Sequence, residues 1–177
     1  MLQLLDALKS PRNRALFVLG LRTGFRISEM LSLKVRDVYQ HGRVVDRVWV
    51  ERRNVKKKQE GQAVPLHDQA KAELARWLEE LIVRHPDPGT PLFLSREGTA
   101  LNRRSAWVVL TKAFAQCGLT GKLGTHCMRK TFARRVHEKL GRDLMKTQKA
   151  LRHQRITSTV SYLSVGEEEV DDAILKS

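Results

Sequence analysis

The chain has 177 residues, 41% of them hydrophobic, which is enough for one domain with a substantial core. The chain has 33 Lys and Arg against 19 Asp and Glu, which gives a formal net charge of +14. This charge favours a polyanionic partner, above all nucleic acid, over an anionic membrane surface or the absence of a charged partner. The longest apolar run near the start, residues 15–21, is too short to cross a bilayer, and no signal peptide pattern opens the chain. The two cysteines, Cys117 and Cys127, demand no disulfide. The expected location is therefore the cytoplasm.

Hydrophobic spacing and turn residues predict a mainly α-helical α+β fold. The first helices are expected over residues 1–8, 14–22 and 26–33. Ser10-Pro11 supplies a cap and first turn for the second helix, and Thr23-Gly24 separates it from the third.

A small antiparallel sheet is predicted to follow. Valines and an aromatic residue favour strands over residues 35–39 and 43–53, joined by a turn at His41-Gly42. The polar stretch 54–62 reads as a hairpin tip, and residues 63–66 close the hairpin as an edge strand that tolerates its proline. We therefore expect three strands with a lysine-rich tip.

The rest of the chain is predicted to be helical, apart from a brief extended segment at residues 91–94. Helices are expected over residues 68–83, 101–117, 125–140, 143–151 and 156–163, with an acidic tail helix over 167–175. Three tryptophans, Trp49, Trp77 and Trp107, are expected to pack in the core or on the sheet and not to stack on bases.

Two places in this pattern favour an anion. His126 and Arg129 are spaced i, i+3 near the predicted start of a helix, where the helix dipole adds to their charge. Arg26 begins another helix directly after a glycine turn. A His-x-x-Arg pair alone is a weak signal, since two solvated side chains at this spacing are common in a basic protein.

The ordered combination is more specific, and it resembles the tyrosine recombinase (phage integrase) family. The matching segments are TGFRISE at residues 23–29, THCMRKTFA at 125–133 and LRHQRITSTVSYLSV at 151–165. The match covers essentially the whole chain as a single catalytic domain, residues 1–177, and implies a helical catalytic core with a small three-stranded sheet. It also implies an enzyme that breaks and rejoins DNA strands through a 3′-phosphotyrosyl intermediate, without a metal ion, ATP or another cofactor.

The resemblance assigns roles to individual side chains. Arg26 and Arg129 correspond to the two arginines that bind the scissile phosphate. His126 corresponds to the partner in proton transfer from the nucleophile, and His153 to a second histidine that hydrogen-bonds the phosphate. Tyr162 corresponds to the nucleophile.

A hairpin lysine completes the family's set as the general acid toward the leaving 5′ oxygen. In the family it stands about eight residues before the proline that closes the hairpin, and counting back from Pro65 gives Lys57. Lys56 and Lys58 are the alternatives if the register slips by one residue.

The sequence departs from the family pattern without losing a catalytic group. Arg152 replaces the usual glycine before His153, where it either adds a phosphate contact or moves that histidine. Cys127 stands in place of an acidic residue, Met128 in place of leucine, and Lys130 in place of a frequent histidine.

The resemblance also implies partners and a missing part. Family members usually carry an N-terminal DNA-clamping domain, which is absent here, so the chain is either a fragment, the favoured reading, or a naturally minimal recombinase. Double-stranded DNA is the expected partner, bound by a homotetramer on paired sites, with a monomer possible without DNA and no membrane involved. The alternative function is a non-catalytic DNA-binding regulator on the same scaffold.

Overall fold

The computed structural model describes residues 2–50, 62–121 and 123–163, and the chain divides into two units, Met1–Arg129 and Lys130–Ser177. The described helices and strands, in chain order, are α1 Leu2–Ala7, α2 Pro11–Thr23, α3 Ile27–Leu31, α4 Val35–Val38, β1 Tyr39–Gln40, β2 Arg43–Val44, β3 Arg47–Val50, β4 Gln62–Pro65, α5 Asp68–Arg84, α6 Arg103–Gln116, α7 His126–Lys139, α8 Leu144–Leu151 and α9 Ile156–Leu163. The predicted class, α+β and mainly helical, is confirmed.

Helix α2 is the centre of the first unit. Ser10 accepts a hydrogen bond from the backbone N–H of Asn13 at 3.2 Å, which caps the helix as predicted. Every residue from Ala15 to Leu21 is buried, and α5 packs along α2 through a stripe of buried leucines. Two side-chain contacts tie the helices together, Arg14 with Glu73 at 3.2 Å and Arg22 with Gln69. An apolar helix buried on all sides needs such an amphipathic neighbour to cover it.

The strand predicted over residues 35–39 is wrong, because residues 35–38 form the short helix α4. The carboxylate of Asp37 accepts the backbone N–H of Lys34 at 2.8 Å, which closes a helical turn locally. Val35 and Val38, at i and i+3, are both buried by that turn. The β-propensity of valine therefore yields to a cap and to burial.

The strands form two antiparallel pairs within the described residues, where one three-stranded sheet was expected. The β1–β2 hairpin turns through His41 and Gly42, both with positive φ (50° and 76°), the combination that suits the twist of a two-residue hairpin. Strand β3 pairs with β4, as predicted for the closing strand. The predicted tip, including Lys57 and its alternatives Lys56 and Lys58, lies outside the described residues.

Two of the three tryptophans are not core residues. Trp77 is half-buried and donates its indole N–H to the carbonyl of Leu92 at 2.7 Å, as packing predicts. Trp49 is 51% exposed because β3 alternates, with Val48 and Val50 facing inward. Trp107 is 49% exposed. It follows Ala106, which belongs to the buried stripe of α6, so the side chain of Trp107 points away from that stripe. The prediction of core or sheet packing is wrong for Trp107, whereas Trp49 does lie on the sheet, on its exposed face.

The second unit contains most of α7, followed by α8 and α9, close to the predicted bounds. Asp143 caps α8 by accepting the backbone N–H of Lys146 at 2.9 Å, and this bond lowers the pKa of the Asp143 carboxyl. His137 of α7 contacts the buried hydroxyl of Thr147 of α8 at 2.9 Å. The predicted tail helix over 167–175 lies outside the described residues. In the part of the chain that the structure describes, no helix has the length and apolar character of a membrane span.

Candidate functional site

Arg26 is held at the start of α3 by Glu29. One carboxylate oxygen of Glu29 accepts the backbone N–H of Arg26 at 2.6 Å, and the other lies 3.2 Å from the Arg26 guanidinium. The Arg26 side chain remains 43% exposed, so it can reach an external anion. The family resemblance gives Glu29 no role, although its i+3 spacing from a helix cap is the pattern that predicts this contact.

Arg129 is fixed to the turn that precedes Arg26. It is only 1% exposed, and its guanidinium donates a hydrogen bond to the carbonyl of Gly24, which lies 105 residues earlier in the chain. Gly24 ends α2 in the left-handed conformation (φ 62°), which aims the chain away from the helix. The two predicted phosphate-binding arginines are therefore brought to one turn of the first unit.

His126 is the first residue of α7 and its side chain is exposed. The helix start is closed by Cys127, whose N–H bonds to the carbonyl of Gly124 at 3.0 Å and whose Sγ accepts the N–H of Gly124 at 3.3 Å. A thiol is a weaker acceptor than the carboxylate usual in the resembled family. The capping geometry nevertheless survives this departure, and it leaves the imidazole of His126 at the surface.

His153 is held on three sides within the second unit. Its backbone N–H bonds to the carbonyl of Gln148 at 3.1 Å, and the Gln148 amide donates to the carbonyl of His153 at 3.1 Å. Its ring Nδ1 lies 3.0 Å from the hydroxyl of Thr159, and both side chains are buried. Thr159 was given no role from the sequence. Its contact holds the imidazole in one orientation.

Arg152 occupies the glycine position without preventing this arrangement. It adopts the left-handed conformation (φ 56°, ψ 38°) that ends α8, and its N–H bonds to the carbonyl of Lys149 at 3.0 Å. With the bond from His153 to Gln148, this is the pattern of a helix end that glycine favours. His153 thus keeps the place that a glycine turn would give it.

Replacing Arg152 with glycine should stabilise the protein. A non-glycine residue in the left-handed region costs about 1–2 kcal/mol of stability. Glycine removes this cost, but its greater freedom in the unfolded chain cancels about half of the gain. We expect a net gain of about 0.5–1 kcal/mol, or about 1–4 °C in Tm, measured by thermal unfolding. A lower Tm would show that the side-chain contacts of Arg152 outweigh the backbone strain.

Tyr162 is brought next to His153 by the turn between α8 and α9. The ring centroids are 5.2 Å apart with an interplanar angle of 51°, and Tyr162 is half-buried. The second unit therefore places a phenol that can act as a nucleophile beside an oriented imidazole. Among the described residues, no group of three or more His, Cys, Asp or Glu is arranged to hold a metal ion.

The chain is similar to known integrases and recombinases over most of its length. The profile of the phage integrase family matches residues 1–169. "Probable integrase/recombinase YoeC" of Bacillus subtilis is 29% identical over 161 residues, which cover 90% of this chain and 81% of that protein. "Tyrosine recombinase XerD" of Mycobacterium leprae is 35% identical over 156 residues, covering 87% of this chain and 48% of XerD.

Solved structures confirm the fold. XerA recombinase matches with a TM-score of 0.79 at 19% identity, over 98% of this chain and 61% of that one. XerH recombinase, in a post-cleavage complex with its palindromic difH substrate, matches with a TM-score of 0.76 at 24% identity, over 97% and 49% of the two chains. The chain thus spans about half the length of the XerD and XerH proteins that it matches.

Proposed function

Because the chain belongs to the phage integrase family, we propose that it is a site-specific recombinase whose Tyr162 cleaves and rejoins DNA strands. The contact of Tyr162 with His153, itself anchored by Thr159, is the observation that supports this most directly. A DNA-binding regulator would have no need of a phenol beside an oriented imidazole.

In the proposed reaction the oxygen of Tyr162 attacks the scissile phosphorus and forms a 3′-phosphotyrosyl bond as the bond from phosphorus to the 5′ oxygen breaks. His126 takes the phenol proton, and Lys57 gives a proton to the departing 5′ oxygen. Arg26 and Arg129 neutralise the nonbridging oxygens, and His153 donates a hydrogen bond to one of them. Such positioning and charge supply most of the catalysis in phosphoryl transfer.

The covalent link conserves the energy of the phosphodiester, so a 5′ hydroxyl can attack it and restore the strand. No ATP is needed, and we propose that the cationic side chains serve without a metal ion. When the attacking 5′ hydroxyl comes from a second duplex, the outcome is recombination. When it comes from the original strand, that strand is restored and the outcome is topoisomerase-like relaxation of the DNA. Pairwise exchange implies four protomers on two double-stranded DNA sites, in the cytoplasm.

The proposal is tested by trapping the intermediate. A duplex selected by binding from a random library would carry a nick beside the cleavage site, so that a short fragment diffuses away and religation fails. We expect a covalent protein–DNA adduct that resists denaturation and forms equally in EDTA. Specific binding without any adduct would favour the alternative, a non-catalytic DNA-binding regulator.

The assignment of the general acid to Lys57 can be tested separately. Lys57→Ala should block cleavage of an ordinary phosphodiester but cleave a 5′-bridging phosphorothiolate, because a thiolate leaves without being protonated. Cleavage of both substrates is measured on gels. Rescue of Lys56→Ala or Lys58→Ala in place of Lys57→Ala would assign the role to that neighbour.

Thr159 should act as a positioning residue for His153. Thr159→Val leaves the buried Nδ1 of His153 without its partner, which should cost about 1–3 kcal/mol of unfolding free energy. We expect adduct formation to slow about 100-fold, since small misplacements of a catalytic group cost that much. Thr159→Ser should restore the rate, and Thr157→Val, an exposed position on α9, should change neither quantity. A wild-type rate of adduct formation in Thr159→Val would contradict the positioning role of Thr159.

A further inference from the structure

A basic cleft opens in the first unit, and its lining contains none of the residues assigned to catalysis. Its volume is about 560 Å³, and it lies between α4, the β1–β2 hairpin and β3. The side chains that define this cleft, called here the α4–β3 cleft, include Lys34, Arg36, His41, Arg43, Arg47 and Trp49. None of them belongs to the proposed catalytic set.

The acids of the cleft balance only part of its positive charge, and the Asp46 carboxylate interacts with the charge of Arg43 as well as with Lys71. Asp46 is bonded to Lys71 at 2.6 Å, which holds the pKa of its carboxyl below the ordinary value. Asp37 is occupied in capping α4. Among the described residues, neither Arg36 nor Arg43 forms an ion pair. Guanidinium groups left in this state favour an external anion, and phosphate in particular.

Trp49 adds an aromatic surface to these charges. It is 51% exposed on the outer face of β3, opposite Ala63 on β4. Because the methyl group of Ala63 is small, it covers little of the indole. Arg47, two residues earlier, lies on the same face and donates to the carbonyl of Ala63 at 3.0 Å. An open indole flanked by cations is suited to stacking with a base.

We propose that the α4–β3 cleft binds an unpaired stretch of nucleic acid strand, with Arg36 and Arg43 on its phosphates and Trp49 stacked on a base. The volume of about 560 Å³ is of the size that holds small organic ligands, and so admits a nucleotide. A duplex hides the faces of its bases between neighbouring pairs, and an acidic peptide would make no use of the indole. The inference does not rest on the chemistry proposed for Tyr162.

The test uses the full chain and a fluorescently labelled oligothymidylate of about ten nucleotides, followed by anisotropy. Trp49→Ala should weaken binding about 5- to 150-fold, the range expected for one stacked base, while Trp49→Phe should retain most of the affinity. The matched control is Trp107→Ala, equally exposed but on α6 and outside the cleft lining, which should change affinity less than about twofold. Arg43→Gln should lower the slope of log affinity against log salt by about 0.7.

Two competitors distinguish the alternatives. A duplex of the same length should bind Trp49→Ala and the wild type alike, and polyglutamate should displace the oligonucleotide poorly. The inference is overturned if Trp49→Ala and Trp107→Ala weaken oligonucleotide binding equally, if duplex binding falls as much as single-strand binding, or if polyglutamate competes as well as the oligonucleotide. Matching melting curves for the variants would exclude misfolding as the cause.

Discussion

Tyr162→Phe is expected to abolish the covalent adduct completely while leaving DNA affinity unchanged. The substitution removes one oxygen, and with it the nucleophile. Loss of a catalytic nucleophile lowers rates on the order of 10⁶-fold, which places the adduct below detection. The ring contact with His153, at 5.2 Å between centroids, involves the aromatic face and should persist in phenylalanine. Adduct yield on the nicked duplex and anisotropy on the intact duplex measure the two quantities.

The chain offers a matched control, because it has only two tyrosines. The other, Tyr39, lies on β1 in the first unit. Tyr39→Phe should give the adduct at the wild-type rate. Peptide mapping should place the DNA on Tyr162 alone. An adduct that survives Tyr162→Phe would reject the proposed nucleophile, and one lost only in Tyr39→Phe would move the assignment to β1.

Arg129→Lys should reduce both activity and stability, which distinguishes this arginine from Arg26. A lysine keeps the charge but cannot reproduce the planar fork that bonds the carbonyl of Gly24 and that, in the proposed reaction, also binds the phosphate. Arg129 is 1% exposed and Gly24 is buried, so the carbonyl left without its donor should cost about 1–3 kcal/mol of unfolding free energy. Loss of one preorganised donor to the phosphate should slow adduct formation about 10²–10³-fold.

Arg26→Lys is the comparison that separates the two effects. The rate should fall by a similar factor, since the proposed phosphate contact is the same. Stability should change by less than about 1 kcal/mol, because the side chain is 43% exposed and its ion pair with Glu29 is a surface pair. Denaturant unfolding and single-turnover cleavage measure the two quantities for both variants. Equal losses of stability would contradict the structural difference between the two arginines.

Many features of the fold could be predicted from the sequence because they depend on residues close together in the chain. The cap at Ser10, the left-handed stop at Gly24, the closing strand before Pro65 and helix α9 all follow from spacings of a few residues. The order of Arg26, His126, Arg129, His153 and Tyr162 was sufficient to predict the family, which the match over residues 1–169 confirms. The individual roles of these residues stay predictions.

Only the tertiary structure decided how these local pieces are used. Residues 35–38 became a helix because burial of two valines and a cap prevailed over β-propensity. Arg129 is buried against a carbonyl 105 residues away, and Thr159 orients His153 across the turn between two helices. Trp49 faces outward because the pleat of β3 turns its neighbours inward. Propensity and spacing describe one segment at a time, whereas these outcomes depend on which surface a second segment covers.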